Sequence, residues 1–265
     1  MGLTGVEIVR ARYVHPYRPV LERVDLPLPD GAEGLDGLRI AFIADTHHGP
    51  FIDESDLQRA IGLLRNEEFE LALFGGDYIS ESPRYAPAAG AALSAVMEMA
   101  SIGGAAVLGN HDLTVSTSRV QDVIATMGIP VLRNDVTVFD YKGSQLAIAG
   151  IDETLLGEPH PHRTMQQVPE GVPALALWHE PEFAEMAAAE GAFAQLSGHT
   201  HGGQIRIPGI GPVGLPVHGK RHVIGTSNAD GMTVYTTRGV GVYRPPVRVN
   251  CPPEVTLVTL RASSS

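Results

Sequence analysis

Six short, largely apolar runs that each stop at a polar cluster leave this chain few architectures to choose from. Run 38–44 stops at Asp45, run 70–74 at Gly75-Gly76-Asp77, and run 105–108 at Gly109-Asn110-His111-Asp112. Run 146–149 stops at Gly150-Ile151-Asp152, run 174–178 at His179, and run 193–196 shortly before Gly198-His199-Thr200-His201. Runs of this length without strict alternation read as strands covered on both faces. Helical spacing fills the gaps. One pattern begins at Ser55-Asp56 and carries Leu57, Ile61, Leu63 and Leu64; others span 86–100, 118–127 and 181–189. Alternating strand and helix predicts a layered α/β fold, whose ligands gather at the carboxyl ends of the strands.

The last quarter differs. Runs 203–207, 232–236 and 255–260 read as strands joined by Gly/Pro loops with no helix between them. They predict a second, more antiparallel sheet packed on the first. Residues 6–13, where Val6-Glu7-Ile8-Val9 alternates, are expected to join an edge. The whole of 1–265 reads as a single domain, with 1–37 an N-terminal strand and lead-in and 262–265 a frayed tail.

Composition sets limits on function. The formal charge of −11 and the lack of any Lys/Arg run exclude a polynucleotide as the main substrate. Cys251 is the only cysteine, so no internal disulfide forms and thiolate zinc sites are ruled out. It reads as a plain buried thiol, and a reducing, cytoplasmic setting fits. Neither a signal peptide nor an apolar run long enough to span a bilayer is visible, although peripheral membrane contact is compatible with the pattern.

Taken singly, each cluster has an ordinary explanation. Asp45 and His47 could be loop residues, Asp77 a turn or cap acid, Asn110 to Asp112 an Asx-type turn, His179 a satisfied core histidine, and His199 and His201 a chance pair. Their placement together at strand ends argues otherwise. In an extended stretch, residues two apart face one side, so Asp45 with His47, and His199 with His201, could each bind cations. A carboxylate such as Asp77 can bridge two ions, and Asn110 offers a neutral oxygen. His111 could meet a substrate as imidazolium, with Asp112 holding the ring in orientation. His/Asp/Asn ligation without thiolate suits two divalent transition-metal ions, Mn in the first place and Fe or Zn otherwise.

The series Asp45-Thr46-His47, Gly76-Asp77, Gly109-Asn110-His111-Asp112, His179 and Gly198-His199-Thr200-His201 resembles the calcineurin-like metallophosphoesterase superfamily. The extension through Gly202-Gly203-Gln204-Ile205, with Arg238-Gly239-Val240-Gly241 and Pro252-Pro253-Glu254-Val255, looks like the bacterial branch of YkuE- and YaeI-type phosphoesterases. That resemblance implies a four-layer α/β/β/α sandwich of two mixed β-sheets flanked by helices. It implies Asp45, His47 and His201 on one ion, Asn110, His179 and His199 on the other, and Asp77 between them. It further implies attack on phosphorus by a metal-bound hydroxide, with His111 as acid or transition-state stabiliser supported by Asp112. The expected activity is phosphodiester or pyrophosphate hydrolysis, diesters being favoured over monoesters. Ala44 stands where the family often has Ser, and the N-terminal membrane segment or export signal common in this branch is not visible.

The substrate is expected to be a small phosphodiester or a lipid-linked pyrophosphate resembling UDP-2,3-diacylglucosamine. Candidate contacts are Arg206, Arg238, His160 and His162, with Tyr78 and the loop 218–222. An apolar groove for a lipid would be rimmed by Phe51, Ile52 and Tyr85. The alternative from another class is a non-catalytic scaffold on the same fold, which would not need His111.

Overall fold

In a computed structural model, residues 5–262 are described; the expected fraying of 263–265 lies outside them. Along the chain the strands are β1 (Val20–Pro27), β2 (Arg39–Ile43), β3 (Leu71–Phe74), β4 (Gly103–Ala106), β5 (Asp135–Tyr141) and β6 (Ser144–Gly150). Then come β7 (Ala174–Leu177), β8 (Ala194–Ser197), β9 (Arg206–Ile207), β10 (Gly211–Pro212), β11 (Gly225–Ala229), β12 (Met232–Thr236) and β13 (Glu254–Arg261). The helices are α1 (Gly5–Tyr13), α2 (Glu54–Ile61), α3 (Ala86–Met97), α4 (Asn110–Thr126), α5 (Pro161–Met165) and α6 (Ala184–Ala189).

Among the described residues, β9 and β10 pair as a small two-stranded sheet, while one large sheet runs β1-β13-β2-β3-β4 and the other β11-β12-β8-β7-β6-β5. Both are mixed. In the first, β2, β3 and β4 are parallel, and β13 enters antiparallel to β2 and parallel to β1. In the second, β6, β7, β8 and β12 are parallel, with antiparallel β5 and β11 at the edges.

The apolar runs explain why two sheets face each other. Along β2, Ile40 and Phe42 turn into the space between the sheets, while Ala41 and Ile43 turn toward the helices; Leu71 and Leu73 of β3 divide from Ala72 and Phe74 in the same way. On the opposing sheet, Leu175 and Leu177 meet that central layer, and Ala174 and Ala176 face α5 and α6. Period-2 alternation thus feeds two apolar layers per strand, and α2, α3 and α4 close the first sheet from outside. The order is the α/β/β/α sandwich.

Three sequence expectations are corrected. Residues 6–13 form α1 rather than an edge strand: Glu7, Arg10, Ala11 and Arg12 are good helix formers, and β1 is left as the edge strand of the first sheet. The N-terminal strand is β1 itself. The last-quarter strands do not make one large sheet: β13 inserts into the first sheet, β12 extends the second alongside β8, and only the short β9 and β10 pair separately. Run 203–207 keeps only the two-residue β9. Helix boundaries shift for local reasons. Asp53 caps α2 in a reciprocal box with Asp56, and α4 starts at Asn110, breaking at Ser116 (φ −179°, ψ 98°) before the expected 118–127 segment.

Leu73 sits fully buried between the sheets. Leu73→Ala should lower the unfolding free energy by about 2–5 kcal/mol, read as a lower urea midpoint at unchanged m-value.

Candidate metal centre

The strand ends turn abruptly. Asp45 (φ 52°), His47 (45°), Asp77 (56°), His199 (69°) and His201 (52°) all adopt left-handed backbone. For non-glycine residues this conformation is uncommon and gathers at functional sites. It corrects the reasoning from an extended stretch: Asp45 and His47 converge because each strand end coils back, not because alternate residues share a face. The bend needs room. A Cβ on Gly76 (φ 94°) would lie 2.6 Å from the Gly109 amide nitrogen, so only glycine lets these two turns touch.

Three groups of ligating atoms result, each within 4.8 Å: Asp45, His47 and His201; Asp77, His179 and His199; and His47, Asp77 and His111. His47 Nε2 and His201 Nε2 stand 3.0 Å apart, and His201 Nε2 is 3.6 Å from Asp45 Oδ1. Asp77 Oδ2 lies 3.5 Å from His47 Nε2 and 3.3 Å from His179 Nε2, which places it between the groups. On the second side, Asn110 Oδ1 is 3.1 Å from His199 Nδ1.

The outer nitrogens fix which inner nitrogen is offered. His179 donates Nδ1–H to the Gly75 carbonyl (2.6 Å), and His199 donates Nε2–H to the Val217 carbonyl (2.6 Å). His47 Nδ1 lies 2.8 Å from Ser80 Oγ. Orientation of this kind is how imidazole ligands are normally held. The inward nitrogen of His179 is completely buried and makes no hydrogen bond. A divalent cation satisfies such an atom, and the donor set of imidazole, carboxylate and amide fits two of them.

The electrostatics agree. Burial lowers His47 to about 3 and His199 to about 4, keeping both imidazoles neutral. His201 is also held well below its ordinary value, by burial and by the neighbouring His47 and Arg248. Burial pushes Asp45 up to about 7, against the pull of His179 and with the push of Asp77. Burial works against charge on both His179 and Asp77, yet their mutual attraction wins, raising the first and lowering the second.

His111 lines the cavity over these ligands. Its amide donates to Asp77 Oδ1 (2.8 Å), and its ring centroid is 4.9 Å from that of His47 and 4.2 Å from Tyr243. Asp112 does not do what the sequence suggested. Its Oδ2 accepts the amides of Asp77 (2.8 Å) and Gly109 (3.0 Å), and its Oδ1 those of Tyr78 (2.9 Å) and Ile79 (3.4 Å). The carboxylate ties two strand-end turns together through their backbone and makes no hydrogen bond to the His111 ring. Burial and the nearby Asp77 push it up to about 7.

The expected substrate contacts fall elsewhere. Arg238 is ion-paired with Glu254 and Glu22, and Arg206 donates to the Gly202 carbonyl (3.0 Å). His162 pairs with Glu190 (2.7 Å) beside α6, and His160 lines the same surface depression. None of the four lines the cavity. Tyr78 is buried, its hydroxyl donating to the carbonyls of Phe74 and Val107, and Ile52 is buried too, so the anticipated rim of Phe51, Ile52 and Tyr85 does not form there.

Sequence reasoning missed Arg248, Gln204, Tyr243 and Arg244. Arg248 is fully buried and donates to the carbonyls of Arg238, Gly239, Gly241 and Cys251, with Nη2 also 3.3 Å from His201 Nδ1. Gly241 N–H in turn donates to the Asp45 carbonyl, and Cys251 Sγ–H to the His201 carbonyl. One guanidinium therefore braces the loop against two ligand backbones. Only a buried Arg among carbonyls reveals this, and the sequence gives no such signal.

The geometry and the chain's relatives converge. The chain belongs to the calcineurin-like phosphoesterase family, whose profile matches residues 38–203, the span holding every ligand above. It is similar to phosphodiesterase YaeI of Escherichia coli (strain K12), 35% identical over 227 residues that cover 84% of this chain and 82% of that protein. It is also similar to the uncharacterized metallophosphoesterase YkuE of Bacillus subtilis (strain 168), 29% identical over 259 residues, 96% and 90% of the two chains. Among solved structures, a 5'-nucleotidase precursor from Thermus thermophilus shares the fold, with TM-score 0.51 and 16% identity, over 84% of this chain and 54% of that one.

Two outcomes are expected. Arg248→Lys should weaken metal binding about 10–100-fold by calorimetry, the usual cost of losing a group that orients ligands. In the metal-free protein Asp45 and His179 hold protons near neutrality, and ligation needs them deprotonated. Metal affinity should therefore rise from about pH 6 to about pH 8, with proton release visible as buffer-dependent binding enthalpy.

Proposed function

We propose that this chain is a dinuclear metal-dependent phosphoesterase that prefers diesters. The observation that carries the reading is Asp77, whose Oδ2 faces ligands of both groups while its Oδ1 holds the His111 amide at 2.8 Å. Asp45, His47 and His201 would hold one ion, and Asn110, His179 and His199 the other, with Asp77 shared. Mn is favoured, and Fe or Zn also suits this donor set. When bound, two such cations lower the pKa of a nucleophilic water and neutralise charge on a phosphoryl group.

The chain's own residues do the rest. His111, against His47 and Tyr243, donates to the phosphoryl or leaving oxygen, a role supported by its place on the cavity wall. Asp112 positions the Asp77 and Gly109 turns through their amides. Asp45 accepts the His199 amide at 2.9 Å and so links ligands of both ions. Preference for diesters is supported by the similarity to a protein named as a phosphodiesterase. The lining beyond the metal ligands also has space for a second ester group. A scaffold on this fold would have no use for His111 at that wall.

Metal-stripped protein restored with Mn, Fe or Zn should cleave bis-p-nitrophenyl phosphate faster than p-nitrophenyl phosphate; the reverse order would make it a monoesterase. His111→Ala should keep both ions and lose roughly 10²–10⁴-fold in turnover, whereas Asp77→Ala should lose the ion pair itself. Two bound ions with no turnover of any ester would instead favour the scaffold.

A further inference from the structure

The cavity over the metal ligands, about 500 Å³, has two unlike linings. One is the polar set of Asp77, Asn110, His111, His199 and His201. The other is Ile205, Val213, Leu215, Pro216, Tyr243 and Pro245. Of the polar side chains within that second region, Gln204 and Thr200 are already committed, which leaves the Tyr243 hydroxyl. Gln204 Oε1 accepts the Tyr243 amide (2.8 Å), and its Nε2 donates to the carbonyls of Tyr243 and Pro245 (3.1 Å each). The Thr200 hydroxyl donates to the Val223 carbonyl (2.7 Å). One phenol is too little to read the several donors and acceptors along the edge of a nucleobase.

Charge points the same way. Among the described lining residues the one cation is Arg244, paired with Glu81 at 2.6 Å on the exposed rim. Exposed pairs of this kind are weak, so Arg244 is free to turn to a single phosphoryl group. A nucleoside di- or triphosphate would need more. The apolar surface also continues outward: Ile207 and Ile210 of the β9–β10 hairpin, and Val213 and Val217 after it, are exposed by 43%, 76%, 60% and 63%. Apolar side chains gathered beside a cavity mark a place where apolar surface is meant to be covered.

We propose that this cavity seats the apolar ester group of the substrate, so that the enzyme selects phosphoesters bearing an alkyl, acyl-chain or aryl substituent. Selection comes from burial against Ile205, Val213, Leu215 and Pro216, with no reading of a base or sugar. The phosphoryl half of the inference rests on the phosphoesterase function proposed above; the apolar half stands on the lining alone.

The test separates the two halves. Binding of n-alkylphosphonates, methyl to octyl, to Mn-loaded protein is measured by calorimetry, and p-nitrophenyl alkyl phosphates of the same lengths are assayed for hydrolysis. Affinity should rise about fourfold per methylene until the cavity is filled, and KM should fall along the ester series. Leu215→Asn and Val213→Asn should flatten both slopes while metal content stays that of the parent. Affinity independent of chain length, or tighter binding of thymidine 5'-phosphonate than of octylphosphonate, would overturn the proposal. A chain-length gain in binding without turnover of any ester would uphold the pocket and sink the phosphoesterase reading instead. Sedimentation with phosphatidylcholine vesicles identifies the source of the group: co-sedimentation points to a lipid in a bilayer, and its absence to a dispersed alkyl or aryl ester.

Discussion

The arrangement hangs on the burial of Asp77. A carboxylate with 2% exposure in a protein interior is costly unless charge and hydrogen bonds surround it. Here the His111 amide at the start of α4 meets one oxygen, and two imidazoles meet the other. Such a helix start suits an anion, since its first amides have no partners within the helix. Strand β3 delivers the carboxylate, β4 delivers the helix start, and Gly76 and Gly109 are the only residues small enough where the two turns cross. Asp112 then fastens the crossing by taking amides from both sides.

The two-sheet construction gives that carboxylate its neighbours. Strands β2, β3 and β4 bring Asp45, His47, Asp77, Asn110 and His111 from one sheet, while β7 and β8 bring His179, His199 and His201 from the other. The candidate groups Asp45-His47-His201 and Asp77-His179-His199 each draw on both sheets. The apolar layer between them, from Leu26 and Phe42 to Leu177 and Tyr235, holds the two halves of the centre in register.

How much of this could be read from the chain follows from the range of each interaction. The buried strands β2, β3, β7 and β8 and the polar clusters at their ends were legible, because apolar runs and the residues that stop them are local. Sheet membership was not: β13 finds its place between β1 and β2 through contacts more than two hundred residues apart. Val6 to Val9 alternated like a strand, yet four residues of alternation weigh less than the helix formers Glu7, Arg10, Ala11 and Arg12 around them. Arg206 and Arg238 looked like phosphate ligands only because their partners, the Gly202 carbonyl, Glu22 and Glu254, are not visible in one dimension. Arg248 is the converse, silent in sequence and central in space.

The place of β13 bears on how the molecule comes into being. Between β1 and β2, an interior position of the first sheet waits for residues 254–261. Without that segment, β2 has an open edge, and the loop that Arg248 braces against Asp45 and His201 loses the strand it runs into. Closure of the candidate cation cage is thereby tied to the seating of β13. Asp45 and His47 thus precede by more than two hundred residues the strand whose insertion completes the cage around them.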